Sequence, residues 1–280
     1  MTRLTDYTSF TDAQTYCSTD KLWELFDGDR QSFNIAHECV DRHADTDRVA
    51  IVVAHANGSE EVVTFRTLSR LSSRFAHLLV ARGVRPGDRV AVMLEPSLAF
   101  YVAIFGAIKT GAIAVPLFTL FGPDGVRLRV GDCKPKILVT NVEKAPVCEG
   151  IDGVEVLVAD EGFVQSLGGF PDKFAIGTSA EDYAIFQYTS GTTRELPAAV
   201  KHRQRALVTL MLAALYILAA RDTRRYSGIV AVAIGGRILG GLVLLLAALR
   251  PMGVPGLVPM AVADLGFGIA HAAFLLPIRS

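Results

Sequence analysis

The sequence predicts an α/β layer fold with mostly parallel strands, followed by an all-α transmembrane hairpin. Two observations carry this. Short β-branched runs alternate with segments of helical spacing as far as about residue 200. Charge and hydropathy then change together. The 280 residues hold 28 Lys+Arg and 28 Asp+Glu. Residues 201–280 hold nine basic and two acidic side chains, net +7, which leaves 1–200 at net −7. Zero net charge is therefore an average over an acidic part and a basic, apolar tail. The balance excludes a generally basic nucleic-acid binder, so no nucleic-acid partner is expected.

The elements follow in order. Residues 1–31 are polar without a sustained period and read as a leader. The opening MTRLTDYTSF has no apolar core, so no secretory signal is expected. A short amphipathic helix begins at Phe33 and runs through Ile35, Cys39 and Val40. Val49–Ala54 is a strand, Asn57-Gly58 a hairpin turn, and Val62-Val63 the returning strand. Thr64 suits an N-cap. Leu68, Leu71, Phe75, Leu78 and Leu79 recur at helical spacing, and Gly83 is the stop. Val90–Leu94 is a buried strand, Ser97–Lys109 a helix and Ile113–Leu117 a strand. Asp124–Val130 forms a helical turn or two. Lys136–Thr140, Val154–Val158 and Tyr183–Tyr188 are further strands. The four cysteines, Cys17, Cys39, Cys133 and Cys148, make no CxxC pair. No metal site is expected.

Strand Tyr183–Tyr188 runs into Thr189, Ser190, Gly191, Thr192 and Thr193. Glycine lets backbone approach an anion closely, and small hydroxyls donate to its oxygens. A helix following the segment would add its dipole. No GKS or GKT follows the glycine, so this is not a Walker A sequence. By chemistry alone such a segment is either a phosphate cradle or a common turn.

FQYTSGTTRELPAAVKH resembles the signature loop of the AMP-forming acyl-CoA synthetases, the adenylate-forming superfamily. FNIAHECVDRHA, VTFRTLSRLSSRFAHLLVARGVRPGDRVAVML and FYVAIFGAIKTGAIAVPLFTLFGPDGVRLRVGD resemble the N-terminal subdomain of its acetate and medium-chain branch. The resemblance spans about residues 30–216. It implies an incomplete N-terminal subdomain of the adenylate-forming fold over 32–205. It implies ATP and Mg²⁺ as cofactors, a short or medium-chain carboxylic acid as substrate and CoA as co-substrate. The family's carboxylate attacks the ATP α-phosphate, and CoA then displaces AMP. Thr189, Ser190, Gly191, Thr192 and Thr193 would contact ATP. The sequence departs from the pattern where Arg194 and Glu195 stand in place of glycine and Ala198 in place of lysine. Lys201, three residues on, is either the substitute or a solvated charge at a helix start. No Tyr-Gly-x-Thr-Glu run and no Thr-Gly-Asp occurs. The resemblance therefore implies a truncated module that does not complete catalysis alone.

The tail, 206–280, is expected to sit in a cell membrane with the N-terminal domain cytoplasmic. Ser227–Leu249 holds one charge, Arg237, and Pro251–Ile278 holds one, Asp264. Each exceeds the ~20 residues needed to cross a bilayer. Two spans, 226–249 and 253–278, put seven of eight basic side chains on the cytosolic side, whereas three spans split them evenly. Arg237 and Asp264 fall at similar depth and are expected to pair. LYILAARDTRRYSGIVAVAIGGRILGGLVLLLAAL is loosely similar to small bacterial multi-helix membrane proteins. The competing readings are a buried apolar helix pair in a soluble enzyme, and a small integral membrane protein with a non-catalytic soluble part.

Overall fold

The computed structural model describes residues 15–16, 18–54, 58–188 and 199–206, with single helical positions at 242, 245–246, 262 and 265–266. The chain divides into two units, Met1–Val208 and Thr209–Ser280. The hydroxyl segment 189–198, both expected spans and the Arg237–Asp264 pair lie outside the described residues. Among the described residues no helix is long and apolar enough to cross a membrane.

The first unit is built on a six-stranded sheet. Its strands are β3 (Arg89–Met93), β4 (Ile113–Pro116), β5 (Ile137–Thr140), β6 (Glu155–Val158), β7 (Tyr183–Tyr188) and β8 (Ala199–Arg203). Their order is β6-β5-β3-β4-β7-β8, parallel except for the antiparallel β7–β8 pair. A separate antiparallel hairpin joins β1 (Val49–Ala54) to β2 (Glu60–Thr64). The helices are α1 (Thr19–Trp23), α2 (Ile35–Cys39), α3 (Phe65–Ala81), α4 (Leu98–Lys109), α5 (Pro123–Cys133) and α6 (Phe163–Ser166).

The parallel strands are apolar because helices cover both faces. On one face Val90, Val92, Ala114, Ile137 and Val139 pack with Leu68, Phe75, Leu79, Val102 and Ala107 of α3 and α4. On the other, Ala91, Met93, Val115 and Leu138 pack with Val126, Val130 and Cys133 of α5. The Thr64 hydroxyl caps α3 by accepting from the Thr67 N–H at 3.2 Å. Gly83 ends that helix in the left-handed region, at φ +76. Helices α3 and α4 meet at Gly106, where a Cβ would come within 2.7 Å of Phe75 Cδ1 and 2.9 Å of the Ser72 carbonyl oxygen. Trp23 and Phe26 stack edge-on against Phe33.

Two elements depart from the sequence reading. The turn or two expected at Asp124–Val130 is an eleven-residue helix, because Val126 and Val130 gain a sheet to pack on. Strand β8 was not foreseen. Lys201, for which a place at a helix start was one of two readings, lies in this strand. Five antiparallel register pairs with β7, from Tyr188↔Ala199 to Tyr183↔Arg203, satisfy its backbone.

Lys109 closes the contact between α3 and α4 and is the one lysine among the described residues with a fully buried side chain. Its ammonium donates to Asp41 Oδ1 at 2.6 Å, the Ser69 carbonyl at 3.0 Å and Ser73 Oγ at 2.9 Å. Burial lowers its pKa from the usual lysine value, and the Asp41 charge and hydrogen bond oppose that shift. Removing one partner of a buried pair strands the other charge. Asp41→Ala is expected to cost about 3–5 kcal/mol. Lys109→Met, which keeps the stem volume and leaves the part-exposed Asp41 its bond from the Ser69 hydroxyl, is expected to cost less than Asp41→Ala. Urea midpoints at constant slope measure both.

Candidate functional site

In a doubly wound sheet the ligand crevice lies beyond the carboxyl ends of the strands, where successive crossovers go to opposite faces. Here α4 follows β3 onto one face and α5 follows β4 onto the other. The crevice therefore lies beyond Met93 and Pro116. Glu95 and Thr119 stand there, and the buried Thr119 hydroxyl donates to Glu95 Oε1.

Strand β7 lies beside β4 and points the same way. Its last residue, Tyr188, therefore ends at this edge. The chain continues into 189–198 and returns at Ala199, register partner of Tyr188. Both ends of the hydroxyl segment are thus fixed side by side at the crevice edge of the sheet.

Tyr188 is 5% exposed. Its hydroxyl donates to Asp132 Oδ2 at 2.5 Å, and the Arg129 carbonyl oxygen lies 3.2 Å from the same hydroxyl. Burial raises the phenol pKa, and the bond to Asp132 adds to it. Arg129 is itself 7% exposed. Its guanidinium lies 3.7 Å from the Phe121 ring centroid and 5.9 Å from that of Tyr188. Its Nη1 donates to the Gly125 carbonyl at 2.9 Å, and its buried Nε has no hydrogen-bond partner among the described residues.

The six sequence-predicted contacts divide into two groups. Thr189, Ser190, Gly191, Thr192 and Thr193 lie outside the described residues. Lys201 lies in β8, opposite Phe186, with Nζ 5.1 Å from that ring centroid. Its neighbour Arg203 is instead paired with Glu181 Oε2 at 2.8 Å. Among the described residues Lys201 forms no ion pair, and its ammonium rests on a ring. Among the described residues no group of three His, Cys, Asp or Glu side chains is placed to hold a metal ion.

The family model for the AMP-binding enzymes matches residues 38–249. This chain belongs to that family. The match runs beyond Tyr216, where the sequence reading had the resemblance end, and across the first expected span. Acetyl-coenzyme A synthetase of Xanthobacter autotrophicus is 34% identical over 203 residues, covering 60% of this chain and 31% of that protein. The Halorhodospira halophila enzyme of the same name is 30% identical over 216 residues, covering 64% and 33%. The chain therefore spans about a third of the length of these relatives. Among solved structures, a Brucella canis acyl-CoA synthetase matches with TM-score 0.65 at 26% identity, over 74% of this chain and 40% of that one. ATP-bound MatB from Rhodopseudomonas palustris matches with TM-score 0.57 at 25% identity, over 65% and 37%. The likeness confirms the α/β adenylate-forming subdomain in this AMP-binding chain.

Sequence reasoning reached the hydroxyl segment but not its supports. Tyr188, Asp132 and Arg129 come together only through the β4–α5 crossover and the β4–β7 pairing. The one local signal was the i, i+3 spacing of Arg129 and Asp132, which puts both on one helix face. Lys201→Ala removes an exposed cation–π contact and is expected to lower stability by about 0.5–1 kcal/mol. A double-mutant cycle with Phe186→Leu in urea unfolding measures it.

Proposed function

We propose that this chain binds the phosphates of Mg·ATP through Thr189, Ser190, Gly191, Thr192 and Thr193. In this reading it is the nucleotide-phosphate part of an acyl-CoA synthetase that adenylates a short or medium-chain carboxylic acid before transfer to CoA. The observation that carries the reading is the pinned pair Tyr188↔Ala199. It holds the two residues that flank the Thr-Ser-Gly-Thr-Thr sequence at the carboxyl edge of a doubly wound sheet, beside the crevice where such folds bind ligands. The ATP-bound state of one structural neighbour supports it. Lys201 would join the phosphates only by leaving the Phe186 ring, which costs about 0.5–1 kcal/mol. A charge-assisted contact contributes more than that.

The chain alone does not complete the reaction in this reading. Adenylation relies on several groups placed around the transferring phosphate, and the sequence lacks the Tyr-Gly-x-Thr-Glu and Thr-Gly-Asp runs. Replacing Ser190 and Thr192 by Ala removes two hydroxyl donors, each worth about 1.5–3 kcal/mol to a charged acceptor. Calorimetric titration of the full chain with Mg·ATP is expected to show that loss. Equal binding by parent and double variant rejects the phosphate role. No ATP-dependent thioester is expected from the purified chain with acetate and CoA. Time-dependent acyl-CoA formation rejects the incompleteness.

We further infer that the tail is membrane-embedded and holds the N-terminal domain on the cytoplasmic side. The support is the net charge of +7 over residues 201–280 and the two long apolar stretches. The family match through residue 249 favours the competing reading, in which the first stretch continues the enzyme domain. Alkaline carbonate extraction of membranes from expressing cells separates the two. A spanning tail keeps the chain in the pellet, and release to the supernatant rejects it.

A further inference from the structure

We propose that Tyr188, Asp132 and Arg129 form a positioning unit. It fixes the exit of β7 and thereby aims the hydroxyl segment at bound phosphates. This rests on the phosphate-binding reading above and adds residues that do not themselves touch the nucleotide.

The argument begins with location. Tyr188 is the last residue of β7, so the direction of its backbone sets the direction in which residue 189 leaves the sheet. A terminal strand residue is ordinarily the first to fray. Here it is held on three sides. Backbone pairing to Ala199 fixes it along the sheet. The bond from its hydroxyl to Asp132 fixes it to α5, at 2.5 Å within the range of charge-assisted O–H···O⁻ contacts. The Arg129 guanidinium lies over its ring, backed by Phe121.

The chemistry of Arg129 distinguishes this unit from ordinary packing. A guanidinium has five N–H donors. This one is nine-tenths buried, yet among the described residues its buried Nε has no partner and its Nη1 bonds a carbonyl of its own helix. No carboxylate among the described residues forms a salt bridge with it. An aspartate is nearby, but Asp132 accepts from Tyr188 instead. A buried cation left without a counter-charge costs stability, whereas a positive charge held beneath an anion site is favourable once the anion binds. The unit thus combines a mechanical restraint on the strand end with a fixed positive charge close to it.

The test is hydrogen–deuterium exchange of the full chain with and without Mg·ATP, read separately at residues 189–195 and in β3 and β5. ATP is expected to protect 189–195 in the unsubstituted protein. Tyr188→Phe is expected to abolish that protection and weaken ATP binding by up to about tenfold, the equivalent of one net hydrogen bond. Protection in β3 and β5 should be unchanged. Asp132→Ala should reproduce the loss, and Asp132→Asn, which keeps an acceptor oxygen, should restore most of it. Adding Asp132→Ala to Tyr188→Phe should cause little further loss, because both remove one bond. If ATP protects 189–195 in Tyr188→Phe as in the parent, while the Ser190/Thr192 double variant loses protection, the positioning role is wrong and the phosphate reading stands. If the unsubstituted chain shows no ATP protection, both fall. If Tyr188→Phe loosens β3 and β5 as well, Asp132→Ala decides, because Asp132 is solvent-exposed and its removal leaves the core packed. General loosening there too overturns the proposal.

Discussion

Strand β3 has no face that water reaches. Val90, Ala91, Val92 and Met93 are all fully buried, so a layer of helices must cover each side. That requirement organises the domain. A parallel strand needs a crossover to reach its neighbour. The crossover to β4 carries α4 onto one face, and the next, to β5, carries α5 onto the other. The turn of direction at β3 and β4 follows from covering both faces, and the crevice at their carboxyl ends is its by-product. The close packing of α3 on α4 serves the same end. It needs Gly106 at the point of contact, and it buries Lys109 so deeply that Asp41 must come to meet it.

Because the ligand edge is a consequence of topology, its residues come from places far apart in sequence. Glu95 and Thr119 follow different strands. Asp132 and Tyr188, bonded through side chains, lie 56 positions apart. The strands themselves were legible because two-sided burial writes a continuous apolar run, as in Val90–Leu94. Helix α3 was legible because one-sided burial writes helical spacing. The pairing of Asp132 with Tyr188 writes nothing locally, and only the assembled sheet shows it.

Strand β8 was missed for a related physical reason. An edge strand is buried on one side at most and bonds one neighbour, so it needs no apolar run. Ala199–Arg203 reads Ala-Val-Lys-His-Arg, with three cationic or polar residues in five and no local preference for a strand. Tertiary pairing with β7 decides instead. Helix α5 shows the opposite effect. Gly125 and Gly131 weaken it as an isolated helix, and the sheet beneath Val126 and Val130 extends it to Cys133.

The presence of β8 also changes how an anion would be held. Where a glycine-rich segment opens directly into a helix, the unsatisfied N–H groups and the dipole of the first turn meet the phosphate. Here the hydroxyl segment is bounded by two antiparallel strands, whose dipoles largely cancel. Among the described residues no helix end adjoins Tyr188 or Ala199. In the proposed phosphate-binding reading the positive potential would come from side chains and backbone N–H groups. Among the cations of the flanking elements, Arg203 is neutralised by Glu181. Lys201 rests on a ring, and Arg129 is buried with a donor to spare. A segment that holds phosphate mainly through hydroxyls and N–H groups depends on their orientation more than on net charge. That dependence makes the rigidity of its anchor at Tyr188 matter.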